Sequence, residues 1–91
     1  MKDCIDQKKV NARLKKIEGQ IKSISNMIDQ DIPCEDILIQ INAIKSAVHR
    51  VGQIILEGHL HHCVKDAIDN GDSVDAIKKI EKSIEYFANL K

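Results

Sequence analysis

Between Pro33 and Asp69 the chain carries no further proline and no adjacent pair of glycines, and its apolar residues keep a helical beat throughout. Ile37, Ile41, Ile44, Val48, Val51 and Ile55 follow one another at steps of four and three, the spacing of a heptad seam. A helix over this stretch is roughly 55 Å long at ~1.5 Å per residue. A chain of 91 residues cannot cover such a seam by itself. A long helix with an apolar stripe gains its stability from packing against another, so this one calls for a second long helix alongside. Ala43, Ser46 and Ala47, all small, lie near its middle and let two such helices come close.

The flanking segments obey the same rule. Val10, Leu14, Ile17, Ile21, Ile24 and Ile28 form one seam, and Ile77, Ile80, Ile84 and Phe87 a shorter one. No segment alternates with period two, so strands are not expected. Gln30-Asp31-Ile32-Pro33 and Asn70-Gly71-Asp72 punctuate the chain: Pro33 suits a first helical turn and Gly71 a left-handed stop. The pattern predicts an all-α, three-helix protomer, with helices over roughly 4–29, 33–69 and 73–89 in a single domain, 1–91. With only Tyr86 and Phe87 as aromatics, so small a domain is expected to associate with copies of itself.

Charge excludes several classes. Lys and Arg number 14 and so do Asp and Glu, mixed among 43% hydrophobic residues, which is not the composition of a disordered chain. No apolar run approaches the roughly 18 residues of a membrane span, and no secretory leader is recognisable. A cytoplasmic protein is expected, with its three cysteines kept as thiols. The neutrality hides an asymmetry: residues 1–25 hold seven basic groups against three acidic ones, a net +4. A basic first helix can engage a polyanion or be a solvated face. Catalysis has little support, since no nucleophile triad, phosphate loop or HExxH motif occurs.

The chemistry concentrates in His59-Leu60-His61-His62-Cys63. His59 and Cys63 are four residues apart and share one helix face. His59 also extends the seam beyond Ile55, and Cys34 extends it before Ile37. Cys34 and His59 are separated by roughly 37 Å along an unbroken helix. Two copies packed antiparallel about Ala47–Val48 close that gap: Cys34 of each meets His59 and Cys63 of the other, giving two sites per dimer. Two thiolates and an imidazole suit Cu(I), zinc or a related thiophilic ion, and zinc would want His61, His62 or water as a fourth ligand. The bland alternative makes Cys34 and Cys63 small buried hydrophobes and His59 a satisfied core histidine. His61, His62 and His49 read as surface residues, and Cys4 sits near the N-terminus.

Arg13-Leu14-Lys15-Lys16-Ile17-Glu18-Gly19-Gln20-Ile21, then Cys34, then Gln40-Ile41-Asn42-Ala43, then His59-Leu60-His61-His62-Cys63-Val64 resemble the copper-sensing operon repressors, the CsoR family. The resemblance spans nearly the whole chain. It implies a transcriptional repressor and not an enzyme, built as an antiparallel dimer of three-helix chains that pair into a homotetramer, a dimer of dimers. It implies operator double-stranded DNA as partner, bound without a helix-turn-helix. Arg13 and Arg50 fall at DNA-linked arginines, and Lys8, Lys9, Lys15 and Lys16 could add phosphate contacts. Cys34, His59 and Cys63 fall on the family's Cu(I) ligands.

Other members sense nickel or cobalt, formaldehyde, or persulfides. His59 favours copper over the persulfide alternative, in which Cys34 attacks and Cys63 of the partner resolves. Nickel and cobalt sensors resemble the chain less, having His in place of Cys63 and an N-terminal His; formaldehyde sensors lack that Cys. A metal-buffering helical protein that never touches DNA is the reading from another class; the basic first helix speaks against it. The chain departs from copper sensors in two places. Pro33 stands where a Tyr is usual, and Lys79 where gap-free counting expects a Glu linked to the ligand His; the neighbouring Glu81 is on a different face. Such partners orient ligating imidazoles, so these departures bear on how metal binding is transmitted to DNA.

Overall fold

The computed structural model describes residues 5–71 and 73–90; Cys4 and Asp72 lie outside the described residues. Three helices follow in chain order, α1 (Gln7–Asp29), α2 (Cys34–Asn70) and α3 (Ser73–Ala88), with no strand among the described residues. The all-α expectation holds. The first helix starts three residues later than the seam suggested. Asp6 directly precedes it, and aspartate is among the residue types that best cap the exposed N–H groups of a helix start.

The α1–α2 connection is tightly hydrogen-bonded. The Ile32 N–H donates to the Met27 carbonyl at 3.1 Å and the Asp31 N–H to the Ile28 carbonyl at 3.2 Å. That pair of bonds is a Schellman stop, with Asp31 in the left-handed position at φ 54°. The Pro33 carbonyl then accepts from the N–H groups of Asp36 and Ile37 at 3.0 and 3.2 Å. Pro33 is therefore the last residue outside α2, and Cys34 the first inside it. Glu35 and Asp36 fill the first turn, where negative charge complements the helix dipole. At the far end Gly71 adopts φ 71° and donates to the Ala67 carbonyl at 3.0 Å. This is the left-handed stop expected from its type.

The chain divides into two compact units. One comprises Lys8–Val51: α1 and the first half of α2. Its buried apolar residues are Val10, Ile17 and Val51, whereas Leu14, Ile21, Ile28, Ile41 and Val48 of the same seams are exposed. The Gln20 side-chain oxygen is shielded from solvent and, among the described residues, accepts no hydrogen bond. An unmet buried acceptor is costly, about 1–3 kcal/mol. The other unit holds, among the described residues, 5–7, 52–71 and 73–90, with Cys63 and Ala76 buried. In it Gly52 lies against Phe87 and Leu90, so the second half of α2 and α3 run antiparallel. Ile68, Val74, Ile77 and Ile84 remain exposed. No side chain among the described residues reaches complete burial.

Candidate functional site

His59 and Cys63 lie one turn apart on the second half of α2, where α3 covers them from one side. Cys63 is 5% exposed and His59 half-buried. The His59 Nε2 atom is 3.5 Å from Cys63 Sγ, and Nδ1 is 3.9 Å away. A first-row ion with metal–sulfur and metal–nitrogen bonds of about 2.3 and 2.0 Å, at bond angles between tetrahedral and trigonal, spans an N···S separation of about 3.5–3.8 Å. The pair has the spacing of two ligands on one ion. Both cysteines are thiols, and Cys34 is exposed at the first position of α2.

Cys34 belongs to the unit Lys8–Val51, and His59 and Cys63 to the other. Among the described residues of one chain, no three His, Cys, Asp or Glu side chains gather as a metal site. The chain brings together two of its three expected ligands. The donor types fit a thiophilic ion, with one borderline nitrogen and one soft sulfur held by a rigid helix, and a second thiol presented outward.

His59 of the pair also lines a cleft of about 330 Å³ between α2 and α3, walled by Ile55, Leu56, Phe87 and Leu90, with Ser83 among its polar members. The Ser83 hydroxyl donates to the Lys79 carbonyl at 2.9 Å. His61 is exposed, and His62 Nε2 pairs with Asp66 Oδ2 at 3.3 Å. Lys79 Nζ lies 3.2 Å from Asp75 Oδ2. Asp75 holds the Lys79 ammonium above the ordinary lysine range, and Cys63 and Asp66 contribute in the same direction. The influence of Cys63 on the Lys79 charge is not written in any spacing along the chain; counting to the third helix without gaps was the one signal that singled Lys79 out. Glu81 is exposed.

Lys8, Lys9, Arg13, Lys15, Lys16 and Arg50 are all exposed and all belong to the unit Lys8–Val51. On α1, Lys9, Arg13 and Lys16 share one stripe by their four- and three-residue steps. Lys8, Lys15 and Lys22, at seven-residue steps, share a second. The buried Val10 and Ile17 point away from the second stripe and border the first, where Arg13 stands three residues from Val10 and four from Ile17. The solvent side of α1 is thus a cationic surface, and among the described residues nothing folds over Gly19, which lies between the stripes.

Comparison with known proteins agrees with this arrangement. The copper-sensing transcriptional repressor CsoR of Bacillus subtilis (strain 168) is 44% identical over 79 residues, covering 87% of this chain and 78% of that protein. The structure of the copper-sensing repressor CsoR with Cu(I) from Geobacillus thermodenitrificans NG80-2 superposes with a TM-score of 0.79 at 38% identity, covering 90% of this chain and 85% of the other. The nickel-responsive transcriptional regulator InrS gives a TM-score of 0.87 at 29% identity, covering 90% and 92%. No helix among the described residues is long and apolar enough to cross a membrane. The family described as metal-sensitive transcriptional repressors matches residues 6–88, and with an all-helical fold, a cationic first helix and a Cys–His pair at ligand spacing, the chain belongs to that family.

Proposed function

We propose that this protein is a Cu(I)-responsive repressor that holds operator double-stranded DNA and leaves it when the metal binds between two protomers. The observation that carries this reading is the His59–Cys63 pair at 3.5 Å, on the same helix that presents Cys34 at its opposite end. An antiparallel dimer, itself paired into a tetramer, gives the exposed seam residues and the unpartnered Gln20 oxygen something to meet. In it Cys34 of one protomer completes the set of His59 and Cys63 of its partner. Bound there, Cu(I) supplies a soft centre that draws two thiolates and one imidazole together. Cys34 and Cys63 contribute most of the affinity as sulfur donors. His59 binds through one neutral ring nitrogen and, lying on the seam, ties the site to helix packing. Arg13 and Arg50, with Lys8, Lys9, Lys15 and Lys16, hold phosphates in the metal-free state. The similarity to copper-sensing repressors supports the choice of metal and a cytoplasmic setting.

An exposed thiol at Cys34 and a second, buried one at Cys63 favour a second reading, a persulfide-responsive repressor in which Cys34 attacks first and Cys63 of the partner resolves. Anaerobic Cu(I) titration of the reduced protein, followed by operator binding with and without metal, decides between them. Stoichiometric Cu(I) binding with loss of DNA affinity supports the copper reading. Unchanged DNA affinity in the copper-loaded protein rejects it.

A further inference from the structure

The register between α2 and α3 brings a fixed charge to the level of one ligand. Gly52 meets Phe87 and Leu90, and seven residues further along α2, His59 shares the cleft with Ser83 of α3. Antiparallel helices of equal rise keep that register, so four residues beyond His59, Cys63 stands level with Lys79. The electrostatics agree, since Cys63 is among the groups that stabilise the Lys79 ammonium. Asp75, its ion-pair partner, lies one turn further along α3. Asp66 is engaged with His62. Lysine has three donors and no acceptor, so it cannot orient an imidazole by accepting its N–H. What it can offer the site is charge.

Two thiolates and a neutral imidazole carry a formal charge of −2. A monovalent ion leaves the loaded site at −1, and a divalent ion leaves it neutral. A cation nearby favours the first and is nearly indifferent to the second. We propose that Lys79 is a specificity-determining residue: its positive charge, level with Cys63, biases the Cys34–His59–Cys63 set toward a monovalent thiophilic cation over a divalent one. This rests on the proposed shared site. Because Lys79 and Asp75 are both exposed, water weakens the bias to a few-fold.

The test measures Cu(I) and Zn(II) affinities of the reduced, full-length protein by competition with chromophoric chelators, for the wild type, Lys79→Gln and Lys79→Arg. At low ionic strength Lys79→Gln should lower the preference for Cu(I) over Zn(II) by about two- to fivefold, the range expected of an exposed charge. Lys79→Arg should retain the preference, and the difference should shrink in high salt. A preference unchanged in Lys79→Gln, or an equal loss for both metals that salt does not alter, overturns the role of Lys79 while leaving the copper site intact. A wild type without Cu(I) binding dependent on Cys34 and Cys63 overturns the shared site and this inference together.

Discussion

A β-carbon on Gly52 would lie 2.9 Å from Leu90 Cδ1, whereas one on Gly19 would meet nothing within 4 Å. Gly19 and Gly52, both helical, are therefore different in kind. Replacing Gly19 by Ala should stabilise the protein by about 0.5–1 kcal/mol, the ordinary gain in a helix interior. At Gly52 the same gain is offset by displacing Leu90, and Gly52→Leu should cost about 1–3 kcal/mol through overpacking. Urea denaturation of the three variants checks the order; a Gly19→Ala protein less stable than the wild type would mean that a second molecule presses on that face.

Asp31 holds the left-handed position of the stop that ends α1. Glycine takes that conformation without steric cost, so Asp31→Gly should raise stability by about 0.5–1 kcal/mol, and the β-branched Asp31→Val should lower it by at least about 1 kcal/mol. Thermal melts at matched concentration should give opposite shifts for the two substitutions, and shifts of the same sign would contradict the assignment.

DNA binding should respond to single arginines. Arg13 and Arg50 are exposed, so replacing either with Ala should leave the fold intact while weakening operator affinity. Each lost phosphate contact should reduce the slope of log affinity against log salt by about one unit. Fluorescence anisotropy over a salt series measures both quantities, and an unchanged slope would remove that arginine from the interface.

The shared centre has a complementation test. A mixed dimer of Cys34→Ala and Cys63→Ala chains should keep one strong Cu(I) site, because one site loses both cysteines and the other none. Ligands drawn from a single chain would leave no intact site. In the same assay His59→Ala should retain tight Cu(I) binding and lose much of the release from DNA, a coupling of about 1–3 kcal/mol in typical allosteric proteins.

Much of this was legible in the residue pattern. The four-and-three steps give all three helices, and Gly71 marks its turn by type. Asp31 was harder, because a left-handed aspartate is a compromise enforced by the Ile32–Met27 and Asp31–Ile28 bonds and not by its own preference. The seam identifies which residues want burial but not where the covering surface comes from: Ile17 and Val51 find it within the chain, Ile21 and Val48 do not. Of the site, the His59–Cys63 pair is local and therefore readable. How Lys79 stands to Cys63 depends on how far α3 slides along α2, and no spacing within either helix encodes that.

The scarcity of interior has a consequence for the cell's accounting of this protein. Val10, Ile17, Val51, Cys63 and Ala76 are the hydrophobic residues buried among those described. For the dimer proposed above, folding and docking then draw on the same surfaces, and mass action makes resistance to unfolding a function of how many copies are present. Each tenfold dilution should remove about 1.4 kcal/mol of apparent stability. A scarce regulator of this build would be unfolded and cleared sooner than an abundant one, so its own copy number becomes part of how long it persists.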